Sequence, residues 1–238
     1  MQLVQDLEAT QAELEALEAP EQLRWANDHF GSGFAVTTSF GTQSAVLLHL
    51  LVAVAPDVPV YWIDTGYLFP ETYQYAADLT QRLKLNLKVV QPELSPARME
   101  ALLGRLWESE NPDDLVTYHR LRKVEPLDQA LDAAEVSCWA SGVRAGQTDN
   151  RAAMRPLERL RGRWRLRPLL RWTRRDVYYY MEKHELPQHP LFEQGYSTVG
   201  DWHSSAPDDG LGRASRFGGR HQECGLHLPE PLVEGAGI

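Results

Sequence analysis

Phe34-Ala35-Val36-Thr37-Thr38-Ser39-Phe40-Gly41-Thr42-Gln43-Ser44 passes from an apolar, β-branched run directly into a turn rich in hydroxyls. Phe34–Thr38 has the make-up of a buried strand, Ser39-Phe40-Gly41 breaks it, and residues 43–54 then read as a helix. A strand that delivers Ser and Thr hydroxyls and backbone N–H groups to a helix start is a ready anion site. It is not a Walker A loop, because the Gly-Lys-Ser/Thr ending is missing. Gly31-Ser32-Gly33 precedes the strand rather than following it, so a dinucleotide fingerprint fails on context. An ordinary capped turn is the competing reading; the particular order Ser, Phe, Gly, Thr, Gln, Ser argues against it.

Outward from this stretch, strands and helices alternate. Residues 58–63 form the next strand, followed by Asp64-Thr65-Gly66 and a helix over Pro70–Leu83 that opens with Pro and Glu. Residues 85–90 and 136–140 read as further strands and 163–167 as a fifth; residues 96–107, 111–121 and 125–134 read as helices. Thr173 and Asp176 start a helix over residues 173–184 with a cap and an acid in the first turn. Two helices precede the first strand, over 2–18, with Leu3, Leu7, Leu14 and Leu17 on one face, and over 20–29. This pattern predicts an α/β fold, a parallel twisted sheet with helices on both faces. Ligands bind such sheets at the carboxyl ends of the strands, so residues 39–44, 64–66 and 141–151 should gather at one edge. From Tyr196 to Gln222 the chain turns polar and rich in Gly, Ser and Arg, with no periodicity. We therefore divide it into a domain over 1–195, N-terminal helices included, and a mobile C-terminal arm over 196–238.

The chain has 238 residues, ample for a real core, and a formal charge of −9. No apolar run approaches the ~20 residues that span a bilayer. The first 22 residues hold six acids and no Lys or Arg, unlike a secretory signal. Two cysteines exclude a disulfide framework, a four-Cys zinc site and an iron–sulfur cluster held by four Cys of one chain. These features place the protein in a reducing cytoplasm. Eleven Arg lie between Arg144 and Arg175, opposed only by Asp149 and Glu158. Charge alone favours a solvated basic face, offset by the acidic N-terminal helix, over a local anion site. Nucleic-acid binding is disfavoured by the net charge and by the absence of interleaved aromatics.

Several short motifs carry possible chemistry. Asp64-Thr65-Gly66 is a tight turn or a wall for ribose or base. Arg144 and Arg151 flank a Gly-bearing loop and can hold a phosphate or sulfate bidentately, or simply pair with helix carboxylates. His184 and His189 are five apart with Pro187 between them, which excludes a zinc-protease helix. No metal site is expected. Cys138, within Val136-Ser137-Cys138-Trp139, is a core residue. Cys224 lies in the polar arm among Arg213, Arg216, Arg220, His221 and His227, and cationic neighbours favour the nucleophilic thiolate; a plain tail thiol is the alternative.

Taken together, the residues from about Phe34 to His227 resemble the assimilatory adenylyl-sulfate and phosphoadenylyl-sulfate reductases. The resemblance rests on the loop Thr38–Ser44, Asp64-Thr65-Gly66, Gly142-Val143-Arg144 with Arg151, and Glu223-Cys224-Gly225-Leu226-His227. It implies an adenine nucleotide α-hydrolase-like fold related to ATP pyrophosphatases, whose loop carries an Asp where this chain has Gln43. It also implies that Cys224 attacks the sulfonyl sulfur, forming a cysteine thiosulfonate that thioredoxin, or glutaredoxin, resolves to sulfite. Ser39, Phe40, Gly41, Thr42, Gln43 and Ser44, with Asp64, Thr65, Gly66, Lys123, Arg144 and Arg151, would bind the substrate, and His227 would assist Cys224.

Cluster-bearing relatives carry a Cys pair where this chain has Tyr118 and His119, and a second pair within the stretch that here reads Gly200-Asp201-Trp202-His203-Ser204-Ser205. Both pairs are absent, so the resemblance implies no bound cofactor and 3′-phosphoadenylyl sulfate as substrate. A homodimer follows from the same resemblance. The alternatives are a cluster-free adenylyl-sulfate reductase and a nucleotide-binding redox sensor without turnover.

Overall fold

Phe34–Thr38 is strand β1, and it lies inside the sheet, pairing in parallel with one strand on either side. The computed structural model describes residues 6–208, 211–219, 223 and 225–227. Strands β2 (Val60–Ile63), β3 (Leu87–Val90), β4 (Cys138–Ala140), β5 (Leu157–Leu160) and β6 (Arg163–Leu166) complete a sheet of order β3-β2-β1-β4-β6-β5. Val36 sits opposite Val60 and Phe34 opposite Cys138. Parallel pairing holds throughout except at the edge, where β5 runs antiparallel to β6. The sequence pattern contained no signal for β5, because Leu157–Leu160 has charged residues at its two central positions.

Covered faces explain the apolar strands. Phe34, Ala35 and Val36 are all fully buried, as expected for a strand with helices on both sides. Phe34, Val36, Cys138 and Ala140 pack in the larger core with helices α2 (Ala19–Phe30), α3 (Ser44–Val54), α4 (Pro70–Leu83) and α9 (Arg174–Lys183). Ala35 and Trp139 point to the other face, against Leu127 and Leu131 of α7 (Glu125–Ala133). Each Leu buried here contributes roughly 1.5–3 kcal/mol. The α9 cap forms as the sequence predicts: Asp176 N donates to Thr173 Oγ1 at 3.1 Å and Thr173 N to Asp176 Oδ2 at 2.7 Å.

Other boundaries differ for identifiable reasons. Helix α1 (Leu7–Ala16) ends where Leu17 turns extended, and residues 1–5 of the expected helix lie outside the described residues. Helix α5 (Pro96–Leu103) stops at Gly104, whose φ is +75°. Helix α6 (Pro112–His119) does not end in a loop; it runs through a π-helical turn, Arg120–Val124, into α7.

The reading of an arm beginning at residue 196 needs correction, because the chain beyond it is packed. Val199, Asp201, Ser204, Asp208, Arg216 and Phe217 are buried, and Trp202 N donates to Tyr67 O at 2.8 Å. Side-chain hydrogen bonds hold this irregular segment, so no periodicity advertised it. Among the described residues no helix is long and apolar enough to cross a membrane.

Candidate active site

Strands β1, β2 and β3 step outward in one direction and β4 lies on the other side of β1, so the strand order reverses between β1 and β4. The crevice beyond the carboxyl ends at such a reversal is where α/β sheets bind ligands. A cleft of about 1260 Å³ opens there. It is lined by Ser39, Gly41, Thr42, Gln43 and Ser44 after β1, by Thr65 after β2, by Ser141 and Arg144 after β4, and by Lys123, Arg151 and His227. The three loops expected at one edge therefore meet.

Within the first loop the residues divide their work. Phe40 is fully buried at φ +47° and packs edge-on against Trp62, with ring centroids 5.0 Å apart. Its side chain anchors the turn from the core side. Thr42 is also partly diverted, since its hydroxyl donates to Ser197 O at 3.0 Å and pins the returning chain over the loop. A Cβ on Gly41 would stand 3.4 Å from Val199 O, at ordinary van der Waals distance. Ser39 and Ser44 line the cleft and have no side-chain hydrogen bond to another described residue.

Asp64 and Gly66 build the second loop without lining the cleft. Asp64 accepts from Gly66 N at 2.9 Å, from Tyr73 Oη at 2.6 Å and from Gln91 Nε2 at 3.0 Å. Gly66 has φ +75° and leaves no room for a Cβ, which would fall 2.5 Å from Pro96 Cγ. Thr65 faces inward instead and donates to Asp201 Oδ1 at 2.5 Å.

Asp201, which sequence reasoning missed, is the centre of a buried network. Lys123 Nζ lies 2.6 Å from its Oδ2 and Tyr118 Oη donates to the same oxygen at 3.0 Å. Tyr118 Oη also lies 2.9 Å from His203 Nε2. Burial pushes the Asp201 carboxyl up, but Lys123, His203 and the Thr65 hydroxyl outweigh it and hold the group well below the usual carboxylate range. Burial pushes His203 down to about 4, so it is neutral at pH 7. The π-turn bulges the backbone where Lys123 must reach both this network and the cleft, a common use of such turns. A lone Asp in a Gly- and Ser-rich stretch gave no signal of this role.

Arg144 is 6% exposed and hydrogen-bonds Gln43 Oε1 through Nη2. Gln43 accepts the bond without neutralising the charge. Burial first, then the neighbouring Arg174 and Arg151, push the guanidinium down to about 10. A buried cation with a neutral partner, facing a cleft also lined by Arg171, Arg174 and Arg175, favours an entering anion. The rest of the Arg-rich stretch is divided: Arg155, Arg159, Arg171, Arg174 and Arg175 are exposed, while Arg163, Arg165 and Arg167 are buried. Arg163 pairs with Asp128 and Asp132, Arg167 with Glu158, and Arg171 with Glu15 of the acidic N-terminal helix.

Arg151 was expected on a ligand phosphate; in the structure Glu223 takes its fork. Arg151 Nε and Nη2 donate to Glu223 at 2.9 and 2.7 Å, and Thr148 Oγ1 adds a bond of 2.8 Å. Burial pushes the Glu223 carboxyl up and Arg151 more than reverses this, leaving it lowered. His227 lines the cleft with its ring centroid 5.6 Å from that of Trp139. Burial, followed by Arg151, Arg165, Arg167 and Arg213, holds it well below the usual histidine range, so the imidazole is neutral. Cys224 lies outside the described residues, as do Arg220 and His221. Cys138 is fully buried in β4, and burial pushes its thiol well up. His189 is buried too, 3.1 Å from Thr72 Oγ1. Among the described residues no group of three His, Cys, Asp or Glu side chains is placed to hold a metal ion.

Solved structures that share this mostly parallel six-stranded sheet are adenine nucleotide α-hydrolase-like proteins. An FMN adenylyltransferase from Candida glabrata shares the fold, with a TM-score of 0.59 at 14% identity over 87% of this chain and 67% of that one. The more particular assignment comes from residues 33–207, which match the phosphoadenosine phosphosulfate reductase domain. The chain belongs to that family. It is 56% identical to a phosphoadenosine 5′-phosphosulfate reductase of Synechococcus sp. over 95% of this chain and 99% of the relative. A crystal structure of phosphoadenylyl-sulfate reductase from Candida auris in complex with phosphate superposes with a TM-score of 0.74 at 30% identity, covering 87% of this chain and 99% of that one.

Proposed function

We propose that the protein serves assimilatory sulfate reduction, reducing 3′-phosphoadenylyl sulfate to sulfite and adenosine 3′,5′-bisphosphate. The observation that carries this reading is the meeting, in one cleft, of the Ser39–Ser44 loop, the buried Arg144, and Leu226 and His227 of the terminal motif. The chemistry follows from charge. A thiolate cannot approach a substrate bearing several negative charges until these are offset. The hydroxyls of Ser39 and Ser44, the start of α3 and Arg144 supply that offset, while Lys123, which also lines the cleft, is paired with Asp201.

In the first step the Cys224 Sγ forms a bond to the sulfonyl sulfur. The bond from that sulfur to the phosphate oxygen breaks, and its electron pair leaves with the nucleotide. The thiol gives its proton to solvent before the attack, because His227, held neutral by burial and by Arg151 and Arg165, is too weak a base to keep it. In the second step a thiolate of thioredoxin, or of glutaredoxin, attacks Cys224 Sγ and expels sulfite. The second thiol of that reductant then resolves the mixed disulfide, returning Cys224 as the thiol. Within the segment 196–238, the terminal motif alternates between the cleft and the external reductant. Neither step requires a bound cofactor. We place the protein in the cytoplasm as a homodimer, a state that light scattering of the purified chain tests.

Mass analysis after mixing with the nucleotide and no reductant tests the reaction. One added SO₃ on the Cys224 peptide is the expected result, and its absence ends the reading. Cys224→Ser should bind nucleotide normally and release no sulfite. Faster sulfite release from adenylyl sulfate would reassign the substrate; binding without sulfite when thioredoxin is present would make the protein a sensor.

A further inference from the structure

We infer that Glu223 is a positioning residue whose ion pair with Arg151, together with Arg161 and Arg165, docks the terminal motif so that Cys224 is presented to the cleft. Arg151 and Glu223 are 4% and 3% exposed and 72 residues apart in sequence. Their contact is a fork: Nε reaches both carboxylate oxygens, at 2.9 and 3.2 Å, and Nη2 reaches one at 2.7 Å. Arg213 Nη2 stands 3.7 Å away. On the other side of Cys224, Arg161 donates to Gly225 O and Leu226 O, each at 3.3 Å, and Arg165 donates to Leu226 O.

These two guanidiniums are themselves fixed. Arg161 is held at φ +48° in the β5–β6 turn with Asp128 3.0 Å from its Nε, and Arg165 lies 4.7 Å over the Trp139 ring. Leu226 packs on the core formed by Ala35, Leu127 and Trp139. The residues flanking Cys224 are thus tied to two separate elements, α8 (Asp149–Ala152) with its Thr148 cap and the β5–β6 hairpin. A buried pair of charges is costly to separate but forms only when both partners arrive, which suits a segment that must be held in place and also released. Arg151 then acts on the reaction through Glu223 and not as a phosphate ligand.

The inference rests on the proposed role of Cys224, and Glu223→Gln in the full chain tests it. Three quantities are measured: single-turnover transfer of SO₃ to Cys224, affinity for adenosine 3′,5′-bisphosphate, and amide exchange of the peptide spanning 223–227. Transfer should slow at least tenfold, nucleotide affinity should stay within twofold, and exchange should quicken at least tenfold while exchange of the sheet is unchanged. Arg151→Lys, which keeps the charge and loses the fork, should behave like Glu223→Gln. The pair Glu223→Arg with Arg151→Glu should recover part of the transfer rate. Tenfold tighter nucleotide binding in Glu223→Gln with undiminished transfer would instead make Glu223 a competitor for the anion site and overturn the inference. So would three unchanged readouts. If the wild-type chain never accepts SO₃, the reductase reading fails, while exchange still decides whether Glu223 docks the motif.

Discussion

Lys123–Asp201 and Arg151–Glu223 are both buried ion pairs at the same cleft, yet they join different things. Asp201 is locked among Thr65, Tyr118 and Lys123, on chain that is itself packed against β2 and the π-turn. Glu223 comes from the terminal motif and meets Arg151 on the short helix α8. The first pair belongs to the body of the fold and fixes a cation; the second ties a separate segment to that body. The contrast teaches that burial alone does not give an ion pair its role. What each partner is attached to, and whether water can reach the site once the pair opens, decides it.

The largest expected effect separates the two pairs. Asp201→Ala leaves the Lys123 ammonium buried without its counter-charge and strips acceptors from Thr65 and Tyr118. It should cost about 3–5 kcal/mol of global stability, as breaking a buried pair does, read as a drop in denaturant midpoint without a change in slope. Glu223→Gln should cost under about 1 kcal/mol globally, since Arg151 lines the cleft and can be hydrated once the motif leaves. Equal losses in the two variants would abolish the distinction.

Arg144 supplies the next test. Arg144→Ala should weaken nucleotide binding by roughly 1.5–3 kcal/mol, the value of a charge-assisted contact. Gln43→Glu should act in the same direction, because a carboxylate beside Arg144 cancels the charge that the incoming anion needs. Calorimetric titration with adenosine 3′,5′-bisphosphate reads both, and unchanged affinity in the two variants would remove Arg144 from the site.

Much of this organisation was legible in the sequence where regular structure carries it. The apolar run Phe34–Thr38, the Pro-Glu start of α4 and the Thr173–Asp176 cap each state their element through local chemistry. The gathering of three loops followed from the alternation of strands and helices alone. What escaped was held by non-local polar contacts. Asp201 reaches Thr65 across 136 positions and Glu223 reaches Arg151 across 72, and no spacing rule connects such residues. For the same reason the packed segment after Tyr196 resembled a tail. Cys224 stood out because its neighbours were polar and basic, and that motif was recognisable although no packing could be read from it.

Acid should act on both regions, with different readouts. His203 has a folded pKa of about 4 against an ordinary 6.5, so the unfolded chain binds the extra proton in that window. Its contribution is therefore present above pH 6.5 and is lost as pH falls toward 4, on the order of 3 kcal/mol. Asp201, whose pKa is depressed, adds stability above pH 4 that is lost only at still lower pH. Global unfolding should show a slope between pH 6.5 and 4 that His203→Gln reduces. His227 is held neutral in the docked terminal motif, so the same acidification should first quicken amide exchange at 225–227. Exchange there that ignores pH would show that His227 does not report docking.

The smallest effect concerns the other thiol. Cys138 is fully buried on β4 between Phe34 on β1 and Trp164 on β6, with its pKa raised, so it behaves as a small apolar side chain. Cys138→Ala removes one sulfur atom from that core and should cost about 1 kcal/mol or less, within the lower range of core truncations. Sulfite release should be unchanged. Labelling of the native chain with a neutral alkylating reagent should modify one cysteine in the wild type and in Cys138→Ala alike. A second reactive thiol in the wild type would mean that the body opens at β4 as readily as the terminal motif leaves its dock, and the contrast between the two regions would then be lost.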